Sequence, residues 1–321
     1  MQEATRIYIP RLAEIPDLPA AGDVFCLGGH TMGTNWQVRV AGVSEGAELL
    51  AGIERQLDLV IAQMSTWEPE SDVSRVNRGP HGEWHDLAPE FFEVLSCAMR
   101  IAAETGSAYD PTVGPAVDLW GFGPHQERRT SPPTEAEIAQ VRREVGYQHL
   151  ELDVAGRRVR RLTRSVTIDL SSIAKGYAVD LVARYLDGCG VGSYLVEIGG
   201  ELKGRGVKPD GQPWWVEMEG EPRAMVALCD LAIASSGDYL RHFVYNGELY
   251  GHTIDPRTCR PVSCGRLPWT VSVLHASCME ADAYATAMMV AGMDVKRDVA
   301  ARLVYNGQVF ETALLAEMGE D

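Results

Sequence analysis

One stretch constrains this chain more than any other, the run TIDLSSIAKGYAVDLVA from Thr167 to Ala183. A β-branched run from Val166 to Ile168 leads through Asp169 to two serines. It re-forms as an apolar pattern at Ala174, Ala178, Leu181, Val182 and Tyr185, the spacing of one helix face. This predicts a strand, a turn and a helix, with Ser171 or Ser172 as the cap, Lys175 in the first turn and Gly188 as the stop. Such a turn sets orphan N–H groups and a positive dipole end beside an ammonium, which suits a phosphate. Asp169 beside them suits a sugar-like hydroxyl or a metal held against that phosphate. The plainer alternative is an ordinary capped helix with Lys175 in solvent.

With 321 residues, 45% of them hydrophobic, the chain can bury a large core as one domain or as two intimately joined ones. Its formal charge of −16 argues against sequence-independent nucleic-acid binding, which needs a basic surface. A phosphorylated ligand would therefore need local groups or a cation to supply positive charge. The seven cysteines are odd in number and contain no Cys-x-x-Cys pair, the pattern of a reduced compartment and not of a disulfide framework or zinc site. Glu3, Arg6, Arg11 and Glu14 interrupt the N-terminus, which reads as neither signal peptide nor membrane span and carries no lipid-attachment cysteine. The expected location is the cytoplasm for the chain as it stands, and the periplasm if its N-terminus has been shortened.

Residues 1–23 are proline-rich and unpatterned, an irregular arm that runs to about residue 30, where the folded domain begins. Thr31 to Trp36 is a turn feeding a strand at Gln37 to Val40, and Ala47 to Met64 has helical spacing. Just past that helix, Trp67 either stacks on a planar ligand or covers the helix end, and covering is the commoner role. A helix from Pro89 to Thr105 stops at Gly106, and Ala108 to Gly123 reads as a rigid, shaped loop of the kind that builds ligand contacts. Residues 124–134 form an exposed loop before a helix from Thr134 to Val145 that opens with a capping box. Between His149 and Leu170 the pattern is a meander of three short strands, turned at Asp153 to Gly156. Arginines 157, 158, 160, 161 and 164 lie on its solvated face.

The C-terminal half continues with a strand from Ser193 to Ile198 into Gly199 and Gly200, then strands at Trp214 to Met218 and Met225 to Ala234, and a turn from Ala234 to Tyr239. A strand ends in Tyr250 to Thr258, presenting His252 and Asp255; His252 can act as a general base or as a hydrogen-bonding clamp. Thr270 to Leu274 alternates as a strand, and Ser277 to Glu280 is a second capping box before a helix from Ala281 to Gly292. On that helix Asp282 and Thr286 share a face, a hard-oxygen pair suited to magnesium, unless Asp282 merely complements the helix dipole.

Together these segments resemble the ApbE-type FAD:protein FMN transferases. The resemblance spans about residues 31–292 and rests on ordered blocks: MGT at 32–34, MSTW at 64–67, YDPTVGP at 109–115 with WGFG at 120–123, and IDLSSIAKGYA at 168–178. It continues through GGE at 199–201, SSGDY at 235–239, HTIDPRT at 252–258 and ADAYAT at 281–286. The implied fold is α+β, with mixed and antiparallel sheets and packed helices of T-fold-like architecture. It would be a single domain over residues 31–321 made of two closely joined lobes. The implied ligand is FAD, contacted by Met32, Trp67, Ala108, Tyr109, Asp110, Asp169, Lys175, His252 and Ile254. Mg²⁺ would sit between the Ser172 carbonyl, Asp282 and Thr286. The implied reaction moves FMN from FAD onto a threonine or serine hydroxyl of an acceptor flavoprotein and releases AMP, with His252 the first candidate base and Asp282 the second. The alternatives are a FAD pyrophosphatase yielding FMN and AMP, or a non-catalytic FAD-binding protein. Cys259 departs from the family pattern, which usually has glycine there.

Overall fold

The computed structural model describes the chain apart from residues 1–4, 13–15, 20–21, 43–45, 125–128, 238–240, 263–268, 296–297 and 321. Its backbone is an eight-stranded sheet in the order Gln308–Glu311, Ala300–Tyr305, Trp269–His275, Leu231–Gly237, Glu201–Arg205, Ser193–Ile198, Thr34–Ala41 and Phe25–Thr31. Every neighbouring pair in it is antiparallel. One face carries the helices Ala47–Met64, Pro89–Glu104, Ala174–Gly188 and Cys278–Ala291 over the main apolar core. The other face packs a four-stranded sheet, Gly319–Glu320, Arg6–Tyr8, Ala224–Leu228 and Trp214–Met218, over a second core around Tyr8, Leu195, Trp214 and Ile233. In that smaller sheet Arg6–Tyr8 runs parallel to Ala224–Leu228, so the molecule is α+β with one mixed sheet.

Alternation explains the layering. Along Ser193–Ile198, Val196 and Ile198 enter the helical core while Leu195 enters the second core, because successive side chains of a strand point to opposite faces. The helix at Ala47–Met64 and the strand at Trp214–Met218 have the bounds their patterns predict.

Several expectations are corrected. Part of the supposed irregular arm is ordered strand: Arg6–Tyr8 is paired on both sides, Tyr8 is fully buried, and Phe25–Thr31 is an edge of the main sheet. The 149–170 segment supplies only two strands, Leu150–Asp153 and Arg158–Arg161, and their third partner is the distant Trp84–Asp86. Arg161 is buried there, donating to the Val166 carbonyl, while Arg158 and Arg160 stack on Trp84 and pair with Asp153 and Glu151. Met225 to Ala234 divides into two strands at Cys229–Asp230, and residues 234–237 finish a strand instead of turning; Asp238 and Tyr239 lie outside the described residues. The predicted 134–145 helix ends at Val141, and its capping box is formed as expected.

Candidate functional site

The organising turn is built differently from the pattern that located it. Val166 to Ile168 joins no ladder; instead the Asn77 side chain brackets Ile168, its Oδ1 accepting the Ile168 N–H at 2.7 Å and its amide donating to the Ile168 carbonyl at 2.8 Å. Asp169 donates its N–H to the Pro111 carbonyl at 2.7 Å. Its carboxylate accepts both the N–H and the hydroxyl of Ser171, at 2.9 and 2.6 Å. Neither serine therefore caps the helix: it starts at Ala174 with Ile173 in the cap position and no side-chain cap.

The missing cap comes from another helix. Asp282 Oδ2 accepts the Gly176 N–H at 3.1 Å, placing a carboxylate where orphan N–H groups and the positive dipole end favour one. The two helices approach so closely that a Cβ on Gly176 would lie 2.3 Å from the Cys278 carbonyl oxygen, so only glycine fits. The exchange is mutual. Asp180, one helix turn beyond Gly176, accepts the Met279 N–H at 3.0 Å and the Ser277 hydroxyl at 2.7 Å at the start of Cys278–Ala291.

Around this crossing the charges converge. Lys175 Nζ pairs with Glu201 Oε1, and Glu201, 2% exposed, follows the Gly199–Gly200 turn. Burial raises the pKa of Glu201, against the pull of Lys175, and the nearby Asp282 charge adds to the rise. Burial likewise raises Asp282 against Lys175 and the Gly176 N–H. Burial works against the Lys175 ammonium, but the two carboxylates outweigh it and hold its pKa above the usual value. Thr286, one turn beyond Asp282, has its hydroxyl 3.4 Å from that of Ser236. Among the described residues no group of three or more His, Cys, Asp or Glu side chains is arranged to hold a metal. One carboxylate with hydroxyl and carbonyl oxygens is instead the sparse, hard donor set that magnesium accepts while keeping water and phosphate ligands.

The rest of the site frames this cluster. The Tyr109 hydroxyl lies buried beside Ser172, and burial raises its pKa well above the usual phenol value. Asp110 turns inward: one carboxylate oxygen accepts the Thr112 N–H and hydroxyl at 2.9 and 2.6 Å, the other the Tyr147 N–H at 2.9 Å. Ala108 is also buried, and the N–H groups of Ala108 and Tyr109 donate to the carbonyl and hydroxyl of Thr105. The shaped loop continues into a short helix, Gly114–Leu119, with Gly114 against Asp169. Met32 and Gly33 form the two-residue turn between Thr31 and Thr34 with φ of 49° and 71°. That turn abuts Gly199, whose N–H donates to the Asn35 carbonyl at 3.1 Å. Trp67 does not cover the helix end; it is 61% exposed on the turn that follows.

His252 and Ile254 belong to a satellite of aromatic rings. Trp120, Phe243 and Tyr250 stack on one another, Phe122 stacks on Phe243, and His252 meets Phe122 edge-on with ring centroids 6.3 Å apart. His252 Nδ1 lies 3.2 Å from the Arg241 carbonyl oxygen. A carbonyl only accepts, so the neutral ring carries its proton on Nδ1 and its lone pair on Nε2. Ile254 is buried in this satellite core, and Trp120 donates its indole N–H to the Cys259 carbonyl at 2.8 Å.

Residues 32–309 match the family model described as the ApbE family. The chain belongs to the ApbE family. A relative from Vibrio cholerae serotype O1, "FAD:protein FMN transferase", is 39% identical over 275 residues, covering 83% of this chain and 81% of its own. The solved flavin transferase ApbE from Vibrio cholerae is 34% identical with a TM-score of 0.84, covering 92% of this chain and 99% of that one. The Pseudomonas stutzeri flavinyl transferase ApbE, in its apo form, is 34% identical with a TM-score of 0.83 over 92% of this chain and 96% of that one.

In this ApbE chain Lys175, Asp282, Tyr109 and Ser172 meet at the helix crossing, Thr286 lies one turn along, and Asp169 and Met32 stand on adjoining turns. His252 and Ile254 lie in the aromatic satellite. The residue whose role went unread is Glu201, the direct partner of Lys175. Its signal was an acid at the first position of a strand straight after two glycines, where burial without a partner would be costly. Asn77 carried no local signal, because its bonds span 91 positions.

Proposed function

We propose that this chain is a Mg²⁺-dependent FAD:protein FMN transferase, esterifying FMN to a threonine or serine hydroxyl of an acceptor protein and releasing AMP. The observation that carries this reading is the crossing of two helices at which Lys175, the first-turn N–H groups and Asp282 converge. It occurs in an ApbE-family chain whose relative bears that enzyme name.

In this reading FAD lies with its diphosphate toward Lys175 and the start of the Ala174–Gly188 helix, where an ammonium and a positive dipole end favour anionic oxygens. Trp67, exposed on its turn, offers a face for a planar ring. Ser172, Asp282 and Thr286 would hold the magnesium, which neutralises phosphoryl charge and polarises the phosphorus for attack. The acceptor oxygen forms a bond to the FMN phosphorus as the bond from that phosphorus to the oxygen shared with AMP breaks, so the electron pair leaves with AMP. The hydroxyl proton passes to Nε2 of His252, whose Nδ1 proton the Arg241 carbonyl keeps in place. Asp282 is the poorer base, since one of its oxygens already accepts the Gly176 N–H.

The test is incubation with FAD and Mg²⁺, with and without an acceptor carrying a candidate threonine motif, following AMP and acceptor mass. Acceptor-dependent AMP with an FMN mass added to the acceptor supports the transferase. AMP and free FMN without acceptor make the protein a pyrophosphatase, and intact FAD throughout makes it a carrier.

A further inference from the structure

Three ion pairs tie the strand Glu201–Arg205 to the helix Ala174–Gly188, namely Lys175–Glu201, Lys203–Asp180 and Arg205–Asp187, and the first two differ in one respect. Lys203 and Asp180 are the more nearly saturated: Lys203 Nζ donates two of its three N–H groups, to Asp180 at 2.7 Å and to the Ala276 carbonyl at 2.9 Å, while the second Asp180 oxygen holds Ser277 and Met279. Lys175 and Glu201 are less so. Among the described residues Lys175 donates only to Glu201 Oε1, and Glu201 Oε2 is buried with no hydrogen-bond partner. A buried carboxylate with an idle oxygen, near the like charge of Asp282, weakens a fold that the Lys203–Asp180 pair two residues away already fastens. An ammonium with two N–H donors in reserve is what an anionic ligand needs.

We propose that Glu201 is a positioning residue: it holds the Lys175 ammonium at one N–H so that the other two face the diphosphate of the ligand, without touching the ligand itself. This rests on the transferase reading only for the identity of that ligand. Lysine is a flexible point charge on a four-carbon stem, and a fixed partner removes the freedom that would otherwise let it settle on phosphate oxygens out of line. The two effects of removing the Glu201 charge are opposed. Affinity for a diphosphate does not fall, because a nearby negative charge is lost, while turnover falls, because the ammonium is no longer aimed.

The experiment is a double-mutant cycle of Glu201→Gln and Lys175→Met, read as the rate of AMP release at saturating FAD and as FAD affinity by flavin fluorescence. Lys203→Met is the structural control, and thermal unfolding is measured for all. Glu201→Gln is expected to lower the rate about 10- to 100-fold, with a dissociation constant for FAD no weaker than that of the parent. In the Lys175→Met background the same substitution should cost nothing further. Lys203→Met should lower the melting temperature without this split. An equal rate loss from Glu201→Gln in both backgrounds overturns the proposal, as does a lowered melting temperature with the rate intact. If Glu201→Gln does not fold, Glu201→Asp, which keeps the charge and shortens the reach, should reproduce the rate loss; an unchanged rate there overturns the proposal. Parent protein that releases AMP without acceptor overturns the transferase reading and leaves this one standing, since the cycle is read on AMP in either reaction.

Discussion

Met32 is a residue whose backbone argues for its use. It occupies the first position of a two-residue hairpin turn at φ 49°, where asparagine or glycine is the comfortable choice. Met32→Gly should therefore stabilise the protein by about 1 kcal/mol in thermal unfolding, while weakening FAD binding in a fluorescence titration if the side chain covers the flavin. Cys259 sits at φ 55°, which explains why glycine suits that position, and its thiol is buried among the aromatic rings. Burial pushes it up to about 11 and Cys97 up to about 12. A raised thiol pKa leaves almost no thiolate at pH 8, and reactivity appears only as the pH climbs toward those values. An alkylating reagent at pH 8 should accordingly mark the exposed Cys26 and Cys189 and spare Cys259 and Cys97 until denaturant is added, as mass mapping of the labelled peptides would record.

Elements were legible where their cause is local. Ala47–Met64 was readable because one face repeats without interruption between Gly46 and Ser65, and Trp214–Met218 because a short aromatic and apolar run lies between turns. The organising turn was found for its residue types and misread in its bonding: Ile168 pairs with a side chain from another helix, and the cap of Ala174–Gly188 is supplied from residue 282. Bonds between distant positions leave no periodic trace, which is also why Ala108, Asp110 and Ile254 could be placed near a ligand but not seen to turn inward. The helix crossing makes its own prediction. Asp282→Asn keeps an acceptor for the Gly176 N–H and removes a charge that burial disfavours, so its metal-free melting temperature should equal or exceed that of the parent. Asp282→Ala should cost about 1–2 kcal/mol by loss of the cap. Both variants should lose Mg²⁺-dependent AMP release, and a variant that kept it would remove Asp282 from the metal set.

At the scale of the whole molecule, the chain ends knit one layer of the sandwich. Arg6–Tyr8 lies between Ala224–Leu228 and Gly319–Glu320, with the Tyr8 hydroxyl bonded to Glu311. Tyr8→Ala should cost about 3 kcal/mol or more in denaturant unfolding, with FAD affinity unchanged because that layer lies across the sheet from the helix crossing. None of the described helices is long and apolar enough to cross a membrane. Saturating Mg²⁺ should raise the melting temperature, by about 2.7 kcal/mol of stabilisation at a hundredfold excess over its dissociation constant, and Asp282→Ala should abolish the shift. The exchanged carboxylates of Asp180 and Asp282 carry a kinetic consequence as well. Each helix completes the other's first turn, so neither can fray without stripping its neighbour. The amides of Gly176 and Met279, more than a hundred residues apart, should exchange with deuterium at closely matched rates and slow together when ligand is added, as one opening unit.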